Sequence, residues 1–239
     1  MKKIFLFLIF PLIIYAGDGL EYTISGIFGY RSLNVKIGDT DATLNYTQAG
    51  VNTTVLIDEA KVLYFGGTYG KMSFGDEMVF NELPISVSTK FSKPAFSVFA
   101  GGYFRPYSFS EDFAIFLNPE FSYNVSSHSW DISQSPYLEG SVDGKIYYIE
   151  GKLGLLLMYE GNETFEPYFG FYFDYYRGNV KFREKFNDLE GIQEEILKPK
   201  LPIMVTAGTN VYYGEKFSAG LSLGLLNGIT ATGFVGITF

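Results

Sequence analysis

The chain has 239 residues, with 18 Lys and Arg against 26 Asp and Glu for a net charge of -8, no cysteine, one histidine and 18% aromatic residues. A hydrophobic fraction of 47% excludes a disordered chain, and the acidic balance argues against a nucleic-acid partner, because phosphates call for a basic face. Without thiols there are no disulfides, zinc-thiolate sites or cysteine nucleophiles, and the length sets one domain or two small ones.

Residues 1–16 read as a secretory signal peptide: Lys2 and Lys3 make a basic start, Ile4 to Tyr15 an apolar stretch, and Ala16 a small residue at a plausible cut. The apolar stretch is interrupted by Pro11 and is too short to span a bilayer as a helix. The mature domain is therefore 17–239, more acidic still once the two lysines are removed.

From there on, two-residue alternation replaces helical periodicity. Residues 20–31 put Leu20, Tyr22, Ile24, Phe28 and Tyr30 on one face, and Glu21, Thr23, Ser25 and Arg31 on the other. Residues 113–123 set Phe113, Ile115, Leu117, Phe121 and Tyr123 against Asn118, Glu120 and Ser122. In 145–159, Tyr147, Ile149, Leu153, Leu155, Leu157 and Tyr159 oppose Glu150 and Lys152, and in 165–176 Phe165, Phe169, Phe171, Phe173 and Tyr175 oppose Glu166 and Asp174. Successive strand side chains point to opposite faces, so each segment has one apolar face, and aromatics often end its stripe as in the girdles of a transmembrane β-barrel. The uncharged tail from Phe217 is split by Asn227-Gly228, a hairpin dipeptide, into two strands rather than one helix.

Ten spanning strands are expected, near 20–36, 43–57, 61–73, 94–106, 113–124, 145–159, 165–177, 201–213, 217–226 and 229–239. Eight or twelve remain open, because Lys61 to Phe65 do not separate cleanly into two faces. Short turns near 58–60, 107–112, 160–164 and 214–216 alternate with longer polar connections near 74–93, 124–144 and 178–200. The fold expected is all-β: a closed, antiparallel, up-and-down transmembrane barrel, since an open sheet edge in hydrocarbon would strand backbone amides.

Alternating strands, a signal peptide, short turns alternating with long loops, and the closing run from Gly233 to Phe239 together resemble small Gram-negative outer-membrane β-barrel proteins. The resemblance covers the mature chain and is architectural, without a subfamily. It implies a bacterial outer-membrane location, contact with outer-membrane lipids, and an assembly signal at Phe239, Ile237 and Val235 read by the barrel assembly machinery. A monomer without cofactor is expected.

Candidate chemistry rests on inward-facing ionisable groups. If the 160–164 turn pairs Tyr159 with Phe165, Glu150 opposes Asp174 and Lys152 opposes Tyr172. Glu150, Lys152, Asp174, Arg31 and Glu120 then form a polar cluster, joined by Glu21, Arg105 and Glu166 on the same faces. Two readings follow: a charge network packing the interior, or a polar constriction in a narrow solute channel. Catalysis is not expected. The alternative, a lipid-modifying enzyme, would need His128 as base, but Trp130 stands where the His-x-Ser pattern of lipid A deacylase barrels has its serine, and His128 reads as a loop residue. The stretch 181–200 balances five cations against five anions and reads as a solvated loop with a short helical piece, and loops of this kind leave surface binding as a further alternative.

Overall fold

A computed structural model describes residues 21–58, 60–74, 78–80, 87–89, 92–131, 140–186 and 189–239. The expected signal peptide, 1–16, lies outside the described residues. The strands are β1 (Glu21–Ile37), β2 (Thr40–Asp58), β3 (Lys61–Phe74), β4 (Met78–Phe80), β5 (Val87–Thr89), β6 (Ser92–Ser108), β7 (Phe113–Asp131), β8 (Gly140–Tyr159), β9 (Phe165–Phe186), β10 (Leu189–Pro199), β11 (Ile203–Tyr213), β12 (Phe217–Leu225) and β13 (Gly228–Thr238). All pairings are antiparallel; β4 and β5 form a separate ribbon.

The sheet holds eleven strands in the order β10-β1-β13-β12-β11-β9-β8-β7-β6-β3-β2, with further pairings of β10 to β9 and β1 to β2. This corrects the expected closed up-and-down barrel of about ten strands, because the sheet branches and does not close evenly. The lower half of β9, Phe165 to Phe173, pairs with β11, whereas its upper half, Gly178 to Phe186, pairs with β10. Likewise β1 pairs with β13 from Thr23 to Leu33 and then with β10 from Val35 to Ile37. The cause is strand length. β11, β12 and β13 have 11, 9 and 11 residues beside the 22 of β9, so they stop halfway up and β10 alone continues that part of the wall. "Lower" here is the end carrying the short turns at 109–112, 160–164 and 214–216, where β1 begins, β2 ends and β13 ends.

Two polar connections expected to be loops, 124–144 and 178–200, also prove largely strand among the described residues. Residues 124–131 and 140–144 extend β7 and β8, 178–186 extends β9, and β10 replaces the expected solvated loop with its helical piece. Above the apolar band the outward row is no longer uniformly hydrophobic, and on β9 and β10 charges stand beside the outward Ile192 and Ile196. Lys181 and Arg183 of β9 meet Glu194 and Glu190 of β10 at 3.2 and 3.1 Å.

The step between the two halves is held by the β12–β13 turn. Asn227 is buried there, and its amide nitrogen is placed to donate to Leu201 O at 2.9 Å and Asn34 O at 3.3 Å, tying the turn to β1 and to the start of β11. Leu226 and Gly228 both have positive φ, at 90° and 107°, and a Cβ on Gly228 would collide with the carbonyl oxygen of Ser32.

Alternation sorts every long strand into two faces. On β8 the outward row includes Ile149, Leu153, Leu155 and Leu157, all exposed, and Tyr147 and Tyr159 flank it. From Tyr147 to Tyr159 is roughly 40 Å along a strand at ~3.4 Å per residue, enough for a strand tilted by about 45° to cross a hydrocarbon core. Outward aromatics mark both ends, with Tyr30, Tyr69, Tyr123 and Tyr175 above and Phe113, Phe165, Tyr213, Phe217 and Phe239 below, and Phe28, Phe121, Phe171 and Phe173 join the aliphatic residues between them.

Candidate functional site: a layered interior

Read downward, the inward row of β8 runs Val142, Ile146, Tyr148, then Glu150 and Lys152, then Gly154, Leu156 and Met158. These mark three layers. The upper layer is an apolar plug in which Leu33, Val35, Leu44, Tyr46, Met72, Ile146, Tyr148, Tyr176, Phe182 and Leu197 are each at most 2% exposed. It forms where the wall is β1, β2, β3, β6, β7, β8, β9 and β10, an eight-strand girth at which side chains fill the interior. Phe182 and Leu197, from the stretch expected to be solvated, are part of it, as is Val180 just before that stretch.

The middle layer is ionic. Arg31 of β1 grips Glu150 with both terminal nitrogens, Nη1 donating to Oε2 at 2.8 Å and Nη2 to Oε1, and Ser122 Oγ donates to Glu150 Oε2 at 2.9 Å. Nη2 also lies 3.6 Å from Asp174 Oδ2. Lys152 donates to Glu120 Oε1 at 2.7 Å and lies 3.7 Å from Glu150. Tyr64 donates to Glu120 Oε2 at 2.9 Å, Asn118 to the Tyr64 hydroxyl at 3.1 Å, and Tyr172 to Asn118 Oδ1 at 2.7 Å. Arg31, Glu150 and Asp174 are buried, and neither Asp174 oxygen accepts a hydrogen bond. Three carboxylates against two cations leave this layer acidic.

Below lies a chamber of about 510 Å³ that starts beneath Arg31 and Glu150 and reaches the lower rim at Thr23, Glu160, Glu166, Tyr212 and Ser218. Its girth is larger because β11, β12 and β13 replace β10 in the wall. Small residues keep it open. Cβ atoms on Gly154, Gly208 and Gly220 would strike the rings or hydroxyls of Tyr172, Tyr168 and Phe234, so these rings lie flat against bare backbone instead of filling the space. Phe116, Leu156 and Met158, with Tyr103, Tyr168 and Tyr172 against them, make one apolar wall.

All five residues expected in the interior cluster come together, but the expected register is corrected. Lys152, not Glu150, is the backbone partner of Asp174, and Glu150 pairs with Tyr176. The shift is of two residues, so it changes neighbours and preserves faces. The dominant partner of Glu150 is Arg31, on a strand 119 residues earlier, which no local spacing reveals. At the C-terminus, Val235 and Ile237 face outward and Phe239 stacks on Tyr22 with centroids 5.5 Å apart, while Phe239 N donates to Tyr22 O at 2.9 Å. The backbone of His128 pairs with Gly144 within β7–β8, so the expected loop is strand there; its side chain lies outside the described residues. Among the described residues, no group of three or more His, Cys, Asp or Glu is arranged to hold a metal ion.

No protein-family profile matches the chain, and no curated protein does. Among solved structures, the chain is similar to the translocator domain of the autotransporter NalP from Neisseria meningitidis, at 13% identity and a TM-score of 0.46 over 100% of this chain and 94% of that one. It is similar also to the outer membrane protein OprG from Pseudomonas aeruginosa, at 12% identity and 0.44 over 92% and 96%. The toluene transporter TodX from P. putida gives 11% identity and 0.40 over 93% of this chain and 68% of that one. At these values the likeness carries no argument about activity.

Proposed function

We propose that this chain is a non-enzymatic outer-membrane β protein whose strands cross the bilayer and whose role is structural, or that of a channel held shut by its plug. The observation that carries the reading is the outward apolar band between two tiers of aromatics, which in water would be an aggregating surface and in a bilayer is the lipid contact. The buried upper plug favours the structural role, because Tyr46, Tyr148, Tyr176 and Phe182 pack in one apolar cluster and are each at most 2% exposed. Outer-membrane lipids are the partners of the band. Val235, Ile237 and Phe239, outward at the lower rim, suit the strand-end signal taken up by the barrel assembly machinery.

The test is fractionation of cells expressing the full chain, followed by gel migration with and without boiling. Recovery in the outer-membrane fraction with heat-dependent mobility is expected. Full release by osmotic shock, with the same mobility before and after boiling, would overturn the reading.

A further inference from the structure

The lower chamber has acids that its own walls neutralise and one that they do not. Glu120 is held by Lys152, Glu150 by Arg31, and Glu160 by Arg105 at 3.1 Å. Glu166, at the mouth, has only neutral partners: the Tyr212 hydroxyl, which donates to its Oε2 at 2.8 Å, and the side chain of Asn210, its backbone partner on β11. Among the described residues no ammonium or guanidinium lies within ion-pair distance of it. A carboxylate half-withdrawn from water and without a cation is costly unless something positive joins it. Beside it the chamber presents aromatic faces and an apolar wall, at a volume within the range of small-molecule pockets.

We propose that the lower chamber is a binding site for a small organic monocation: a primary or quaternary ammonium with an apolar or aromatic body, entering from the side of the short turns. Glu166 pairs with the ammonium at the rim, Tyr168 and Tyr212 offer ring faces to the same charge, and the apolar body lies against Phe116, Leu156 and Met158. The glycines at 154, 208 and 220 account for the site, since larger residues there would drive rings into the space the ligand takes. An inorganic cation is a poorer match, because the oxygens around Glu166 belong to neutral hydroxyls and amides and the other acids of the lining are already paired with cations. A neutral aromatic would leave Glu166 as it is.

The inference does not depend on membrane insertion in cells and is testable on the full chain folded in detergent. Calorimetry would compare phenethylammonium with its neutral isostere 2-phenylethanol and with phenylacetate. One saturable site for the ammonium is expected, weaker by about tenfold or more for the alcohol and absent for the anion. Glu166→Gln should weaken the ammonium by a similar factor and leave the alcohol unchanged. Equal binding of amine and alcohol to the unaltered protein, or no saturable binding of the amine, would overturn the proposal whether or not the variant folds. If fractionation fails while the amine still binds, the membrane reading falls and this one stands.

Discussion

Lys152 stands directly across the β8–β9 pair from Asp174, yet its ammonium turns away to Glu120, 2.7 Å distant on β7. Asp174 is left to Arg31, which reaches it from β1 at 3.6 Å while committing both terminal nitrogens to Glu150. The ionic layer is therefore centred on Arg31, and one guanidinium holds together two buried carboxylates from different strands.

Removing that guanidinium should be severe. Arg31→Met leaves Glu150 and Asp174 buried and facing one another with only Lys152 near, and is expected to cost about 3–5 kcal/mol, the usual penalty for breaking a buried pair from one side. Denaturant titration of the folded protein in detergent measures it. Arg31→Met combined with Glu150→Gln and Asp174→Asn should recover most of the loss; a single variant as stable as the parent would show that these groups are not buried together.

The face assignment has a direct test on neighbouring leucines of β8. Leu155 is 49% exposed and outward, and Leu156 is 2% exposed and inward. Leu155→Arg should cost roughly 2–4 kcal/mol in bilayers, as charges on a lipid face near the midplane do, and much less in a water-rich detergent micelle. Leu156→Arg should destabilise in both media alike. Identical medium dependence for the two variants would contradict the outward band.

The plug makes a prediction about ion flow. With Tyr46, Tyr148, Tyr176 and Phe182 packed across the eight-strand girth, planar-bilayer recordings on the purified chain are expected to show no steady conductance. Replacing Tyr148 and Tyr176 together by Ala empties the centre of the plug above Arg31 and should create a measurable open level. Steady ohmic current through the unaltered protein would mean that the plug is not a seal.

At the β12–β13 turn, Gly228→Ala is expected to cost about 1–3 kcal/mol, since the added methyl meets both an unfavourable φ of 107° and the Ser32 carbonyl. The same substitution at Gly151, where a Cβ meets nothing within 4 Å, should be close to neutral. Comparing the midpoints of thermal loss of heat-resistant gel mobility for the two variants decides the matter; equal midpoints would refute the close approach of turn and β1.

The sequence by itself determined which residues share a face, because a strand turns successive side chains to opposite sides whatever it pairs with. The outward stripes and the common inward face of Arg31, Glu120, Glu150, Lys152 and Asp174 were legible for that reason, whereas the expected ten strands are eleven in the sheet. Register was not: sliding β9 by two residues against β8 keeps every face and exchanges Tyr176 for Asp174 opposite Glu150, so alternation is blind to it. Nor was β10 legible, since its outward row mixes Glu190, Ile192, Glu194, Ile196 and Lys198 and its inward row carries Gln193 and Glu195 before Leu197, so neither face is a clean hydrophobic stripe. Tertiary structure alone decided that β11, β12 and β13 end halfway and that β10 takes their place. That exchange narrows the wall, closes the top with side chains and leaves the chamber open below, because the number of strands around the interior sets how much of it side chains can fill.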